Sequence, residues 1–256
     1  DQRNDLIVIT DDVYGTFVKD FTSVYGVAPY NTLLVYSFSK LFGCTGWRLG
    51  LIAAHDVNVY DDLLAKLPED TKKTLDSDYS IVTLEPRKMA MLDRINADSR
   101  SIGLYHTSGL STPQQIQMGL FALTHLLAKD PDPYFTEADK LVANRYHTLY
   151  KTLGVPEDDT PTNAKYYTIL DIYRIAELKY DKPFREYLEK NYEQIDFLMR
   201  LSEEEGVVLM EGLGFDAPSG TLRVSQANLP DEAYAKIGRR ILDLLEEYHK
   251  EYLKQK

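Results

Sequence analysis

Cysteine is almost missing from this sequence. Cys44 stands alone among 256 residues, so no disulfide can form within the chain and nothing calls for an oxidising compartment; the cytoplasm is the expected location. Long apolar runs are missing too. The most apolar stretches, Leu6 to Ile9 and Leu49 to Ala54, fall far short of the ~20 residues that cross a bilayer as a helix, so no membrane segment is expected. Positive charge is in short supply, with 29 Lys and Arg against 40 Asp and Glu for a formal charge of −11. Such a surface repels nucleic-acid phosphates and anionic lipid heads. The five histidines, His55, His106, His125, His147 and His249, share no metal-ligand spacing, and no metal site is expected. The chain also lacks a starting methionine and a basic leader, running from Asp1 almost at once into Leu6-Ile7-Val8-Ile9. That opening suggests a polypeptide entered midway rather than a signal peptide.

What is present is ordinary for a folded protein: 44% hydrophobic and 27% charged residues, enough for a sizeable core. Residues 6–10, 32–37 and 49–54 are short continuous apolar runs, the pattern of neighbouring strands buried on both faces of a covered sheet. Charged, periodic stretches at 56–67, about 84–100, 113–129 and 134–153 predict helices. Thr112 is positioned to cap the third of these, with Pro113 at its first position and Gln115 to complete a capping box. Gly154 and Pro156, followed by Glu157-Asp158-Asp159, predict a boundary between a first domain at 1–154 and a second at 155–256. In the second, 166–173, 207–210 and 221–225 suggest strands, 183–205 a helix stopped by Gly206, and 230–253 a last helix opened by Asp231 and Glu232.

The stretch that carries chemistry is Ser37-Phe38-Ser39-Lys40-Leu41-Phe42-Gly43-Cys44-Thr45-Gly46-Trp47-Arg48-Leu49-Gly50, lying between two strand candidates. A lysine next to a buried strand is unusual. Desolvation favours the neutral, nucleophilic amine that a Schiff base needs. Arg48 supplies a fixed cation, and the hydroxyls of Ser37 and Ser39 supply neutral hydrogen bonds, a set suited to a phosphate. Taken singly, each of these residues has an ordinary explanation as a loop or surface group. Cys44, the 19 tyrosines and Trp47 are expected to pack in cores and interfaces rather than to react.

The whole string resembles the lysine-bearing signature of the aspartate aminotransferase-like, fold type I pyridoxal-phosphate enzymes, in which Ser-x-x-Lys is followed by an arginine at this spacing. That resemblance implies pyridoxal 5'-phosphate as cofactor and Lys40 as the residue that carries it, with Ser37 and Arg48 on its phosphate. Upstream, Asp11-Asp12-Val13-Tyr14 resembles the family's Asp-x-x-Tyr, which implies Asp11 at the pyridine nitrogen and Tyr14 at the phenolic oxygen. Asp12 is the alternative carboxylate. Arg223, in Thr221-Leu222-Arg223-Val224-Ser225, resembles the arginine that grips a substrate carboxylate; taken alone it would be an exposed strand arginine. The fold implied is α/β: part of a large cofactor-binding domain with a mixed, mostly parallel sheet, flanking helices and a helical insertion, followed by a small α+β domain.

Within the family, the segments 9–17, 46–50 and 106–115 resemble the branch that β-decarboxylates aspartate and also transaminates it. The substrate implied is L-aspartate, with alanine and carbon dioxide as products, and the assembly implied is a homo-oligomer, at least a dimer. An ordinary aminotransferase and a non-catalytic cofactor-binding sensor are the alternatives. The family's phosphate-binding helix terminus and ring-stacking aromatic have no match in this chain, so the isolated chain is expected to be inactive and to hold the cofactor weakly.

Overall fold

In the computed structural model, residues 3, 5–101 and 109–255 are described. They form two compact units, Asp1–Pro133 and Tyr134–Lys256.

In the first unit the apolar runs become β1 (Val8–Asp11), β2 (Thr32–Ser37) and β3 (Gly50–Ala53), with the short helix α1 (Val24–Val27) between the first two. The strand order is β1-β2-β3. The β1–β2 pair is parallel, with Asp11 opposite Val35, and the β2–β3 pair is antiparallel, with Ser37 opposite Gly50. A mostly parallel sheet was expected; of the two strand pairs described here, one is of each kind. The expected burial on both faces is also corrected, because Ile9 is 68% and Ile52 44% exposed and no described element covers them.

The stretch after β3 folds as α2 (Val59–Ala65), α3 (Glu69–Tyr79) and α4 (Met91–Ser101). The buried Tyr60 of α2 donates to the carbonyls of Val8 (2.9 Å) and Asn31 (3.3 Å), tying this helix to the start of β1 and the approach to β2. Asp61 accepts from the Met91 amide at 2.7 Å and so joins α2 to α4. Helix α3 is not foreshadowed by periodicity, since Glu-Asp-Thr-Lys-Lys-Thr-Leu-Asp-Ser-Asp-Tyr has no apolar stripe. It is favoured instead by Glu69 and Asp70 at its positive end. Helix α5 (Thr112–Leu127) begins one residue earlier than expected: Ser111 is the cap, and its amide donates to Gln114 Oε1 at 2.9 Å. Ile116, Leu120, Leu123 and Leu127 lie along its exposed side.

The second unit holds α6 (Pro133–Leu153), β4 (Tyr167–Asp171), α7 (Ile172–Lys179), α8 (Lys182–Asn191), α9 (Gln194–Glu203), β5 (Met210–Glu211), β6 (Thr221–Ser225) and α10 (Asp231–Lys254). Its sheet is antiparallel in the order β4-β6-β5. The division after Pro133 differs from the boundary expected near 154. Tyr146, Leu149, Tyr150 and Leu153 of α6 are buried in the same core as Leu222, Ile241 and Leu245, so burial assigns that helix to the C-terminal unit.

The strand expected over 166–173 stops at Asp171, whose carboxylate accepts from the Arg174 amide at 2.8 Å and starts α7. The helix expected over 183–205 breaks at Tyr192–Glu193 into α8 and α9, because Glu193 and Asp196 form a new capping box. Leu149 is fully buried at the centre of this core. Leu149→Ala is expected to cost about 2–5 kcal/mol, measured as a lowered urea midpoint.

Candidate cofactor and substrate site

The strand directions create the site. Because β1 and β2 are parallel, Asp11 and Ser37 end their strands at one edge. Because β3 is antiparallel to them, its first residue Gly50, and Arg48 just before it, lie at that same edge. Ligands of open α/β sheets sit at such carboxyl ends.

The two adjacent aspartates differ sharply. Asp12 is buried and accepts from the Thr10 hydroxyl at 2.7 Å. Asp11 is exposed at the strand end, with Oδ1 accepting from the Val13 amide at 3.2 Å in an Asx turn. Asp11 is therefore the carboxylate that a ligand can reach. Tyr14, half-buried, follows in the turn where its carbonyl accepts from the Phe17 amide at 3.0 Å.

After β2 the ladder continues for one more bond, Phe38 N to Leu49 O at 3.1 Å, and the chain then coils through a single turn. Phe42 N donates to Phe38 O at 3.2 Å and Cys44 N to Ser39 O at 3.1 Å. Lys40 sits half-buried on that turn. Gly43 ends it at φ 58°, a conformation that costs glycine little. Phe38 anchors the turn from beneath: its ring stacks on Phe42 (5.9 Å between centroids) and on Phe121 of α5 (6.3 Å). Cys44 is buried with it and donates to Phe38 O at 3.3 Å; burial pushes its thiol pKa up, which keeps it protonated and unreactive.

Arg48 has φ 55° and ψ 47°, a left-handed conformation that costs a non-glycine residue about 1–2 kcal/mol. Its exposed side chain donates to Thr45 O at 3.1 Å. The neighbouring carbonyl, of half-exposed Trp47, is held by Gln114 Nε2 of α5 at 2.8 Å. Trp47 thus lies outside the described cores.

Ser37, Ser39 and Arg48, together with Leu49 and Gly50, line a groove of about 410 Å³. Ser37 Oγ donates to Leu49 O at 3.3 Å and accepts from the Ser39 amide at 3.2 Å. Ser39 Oγ, on a residue only 4% exposed, has no partner at all among the described residues. An orphaned buried hydroxyl costs about 1–3 kcal/mol, and such groups collect where a ligand completes them. Hydroxyls beside a fixed guanidinium match a phosphate group, so the residues present fit a phosphorylated cofactor.

Arg223 belongs to the second unit, on the central strand β6. It is not the solvated strand arginine of the simplest reading. Its guanidinium carbon lies 3.6 Å from the Tyr167 ring centroid and 3.8 Å from that of Phe215. The first unit therefore brings Asp11, Tyr14, Ser37, Lys40 and Arg48 to one edge, while Arg223 belongs to the second. Gln114, Tyr167 and Phe215 have no role legible in the sequence. His106, Thr107 and Ser108, which contributed to the resemblance, lie outside the described residues. Among the described residues no group of His, Cys, Asp and Glu is arranged to hold a metal, and no helix is long and apolar enough to cross a membrane.

A lysine at the carboxyl edge of a mixed sheet, with a strand-end carboxylate and a donor set suited to phosphate at the same edge, is the arrangement that the resemblance to the aspartate aminotransferase-like enzymes implies. Residues 2–241 match the family described as aminotransferase class I and II, and the chain belongs to that pyridoxal-phosphate-dependent family. It is 46% identical over 254 residues to a bifunctional aspartate aminotransferase and L-aspartate beta-decarboxylase from a Pseudomonas species, a match covering 98% of this chain and 47% of that protein. An aspartate aminotransferase from Pyrococcus abyssi is 46% identical over 57 residues, 20% of this chain and 15% of that protein. An aromatic aminotransferase from Pyrococcus horikoshii has the same fold, with a TM-score of 0.58 at 22% identity over 95% of this chain and 52% of its own. A Thermus thermophilus aspartate aminotransferase variant is similar to the same degree, with a TM-score of 0.58 at 21% identity, over 95% of this chain and 49% of its own. The chain spans about half the length of the Pseudomonas relative.

Proposed function

We propose that this chain carries the lysine-bearing half of the active site of an enzyme that β-decarboxylates L-aspartate to L-alanine, with aspartate transamination as a second outcome. The observation that carries the site assignment is the convergence of Lys40, Asp11 and the unpartnered Ser39 hydroxyl with Arg48 at one sheet edge. The choice of aspartate and of decarboxylation rests on the likeness to the Pseudomonas relative.

The cofactor, when bound, acts as an electron sink for the pair left behind as a bond to an amino acid's Cα or Cβ breaks. Lys40 Nζ would hold the cofactor and would move the proton at substrate Cα, as base and acid in turn. The Asp11 carboxylate would pair with the ring nitrogen and favour its protonated form, the better sink. Tyr14 would donate to the phenolic oxygen. Ser37, Ser39 and Arg48 would hold the phosphate, and Arg223 would receive the substrate α-carboxylate. These residues serve decarboxylation and transamination alike. The outcomes divide on how firmly the β-carboxylate is gripped, since a strong bidentate clamp would stabilise the ground state and oppose its loss.

Two measurements test this reading. Pyridoxal phosphate added to the chain, followed by borohydride reduction and peptide mapping, is expected to label Lys40; label confined to other lysines would sink it. In a protein completed to the length of the Pseudomonas relative, L-aspartate is expected to yield alanine and carbon dioxide. Oxaloacetate alone would instead support an ordinary aminotransferase. Ser39→Ala is expected to raise the thermal unfolding midpoint, because it removes a buried hydroxyl that has no partner among the described residues. It should weaken pyridoxal phosphate binding roughly tenfold, the worth of one hydrogen bond to a charged acceptor, as read by fluorescence titration.

The exposed apolar residues Ile9, Ile52, Ile116, Leu120 and Leu127 support an assembly of at least two copies, since such surface is commonly covered by a partner. Light scattering on the purified chain is expected to report self-association; a strictly monomeric chain would count against it.

A further inference from the structure

Along β6 the side chains alternate. Leu222 and Val224 are buried in the helical core, while Arg223 between them faces the other side of the sheet. Ile169, directly opposite Arg223 on β4, shares that face and is 40% exposed; Met210, opposite it on β5, is 57% exposed. This is the open face of the sheet, and at its centre the guanidinium is covered on both planar sides. Tyr167 reaches one side from two residues along β4, and Phe215 reaches the other from the turn after β5, at 3.6 and 3.8 Å from ring centroid to guanidinium carbon. No carboxylate and no hydrogen-bond acceptor among the described residues meets the side chain.

Two such stacks contribute about 0.5–2 kcal/mol each and do more than retain the cation. Rings above and below leave only the rim of N–H groups open. A guanidinium confined in this way cannot rotate out of its plane, and a ligand meets it edge-on, in the arrangement that gives two parallel hydrogen bonds to a carboxylate. We propose that Tyr167 and Phe215 are positioning residues that fix the plane in which Arg223 receives a carboxylate, and thereby the rotation of the bound amino acid about its Cα. This rests on the reading of Arg223 as the α-carboxylate contact. Orientation matters here because the bond to be broken must stand perpendicular to the cofactor's π-system. An arginine that still binds but no longer orients should therefore depress turnover more than affinity.

The first test needs no activity. In the 256-residue chain labelled with ¹⁵N-arginine, the Arg223 Nε–Hε resonance, assigned by its loss in Arg223→Gln, is expected to show the heteronuclear relaxation of a rigid group. It is expected to relax as a mobile side chain in Phe215→Leu and in Tyr167→Leu. Phe215 is 39% exposed, so its replacement does not threaten the core. A resonance that already relaxes like those of mobile, exposed arginines, or one unchanged in both leucine variants, would overturn the proposal. The second test uses the protein completed to the relative's length, with L-aspartate. Phe215→Leu and Tyr167→Leu are expected to lower kcat by roughly tenfold to a hundredfold with little change in KM, and Phe215→Tyr and Tyr167→Phe, which keep the rings, to restore kcat. If Arg223→Gln raises KM while the leucine variants leave kcat intact, the positioning proposal fails and the Arg223 reading stands. If Arg223→Gln leaves KM untouched, the reading beneath it fails.

Discussion

With Lys40 replaced by alanine, borohydride reduction in the presence of pyridoxal phosphate is expected to leave no label on the 38–48 peptide. Turnover of aspartate by the completed protein is expected to fall by at least about 10⁴-fold, the upper range for loss of a general acid–base group. Two roles are lost together, the covalent anchor and the group that moves the Cα proton. Lys40→Arg is expected to fail as completely, because a guanidinium keeps its charge and offers neither a nucleophile nor a base. The main-chain bonds of the turn, from Phe42, Gly43 and Cys44, do not involve the lysine amine, so circular dichroism should remain that of the parent. Retained labelling with retained turnover in either variant would transfer the role to another lysine.

Arg223→Gln is expected to raise KM for aspartate by about 30- to 5,000-fold, the equivalent of the 2–5 kcal/mol that follows removal of one partner from a desolvated charge pair. The ring stacks on both sides of Arg223 exclude water from its faces, which makes the lost contact worth more than an exposed ion pair. Arg223→Lys is expected to recover only part of the loss, since an ammonium neither fits between the rings as a plane nor offers two parallel donors. Steady-state kinetics across the three proteins checks the order arginine, lysine, glutamine. Equal KM values would remove Arg223 from the site.

Several features were written locally enough to be read from the chain alone. The lysine signature is one, because the strand β2, the turn and the start of β3 are contiguous in sequence, and so is the Asp11 to Tyr14 turn. The start of α10 at Asp231 is another. Features that depend on what packs where were not readable. Helix α3 lacks an apolar stripe, and an acidic first turn alone does not distinguish a helix from a charged loop. The break between α8 and α9 falls inside a stretch that looked like one continuous helix, and only the capping box at Glu193 marks it. The assignment of α6 to the C-terminal unit depends on which core receives Tyr146 and Leu149, which the loop at 154–161 does not reveal.

The same divide runs through the site. The identity of the chemistry follows from residue types in a fixed order: an amine, hydroxyls and a guanidinium around a turn, with a carboxylate and a phenol at the end of an earlier strand. Short-range order suffices because each motif is built by a few consecutive residues. The burial of Asp12 beside an exposed Asp11, the unsatisfied hydroxyl of Ser39 and the left-handed backbone of Arg48 came only with the fold, since burial and backbone angle are set by neighbours distant in sequence. The sandwich around Arg223 is the clearest case. Tyr167 and Phe215 meet the arginine because β4 and β6 pair antiparallel and the turn after β5 folds back on the sheet, and pairing register is a property of the assembled sheet rather than of any one strand.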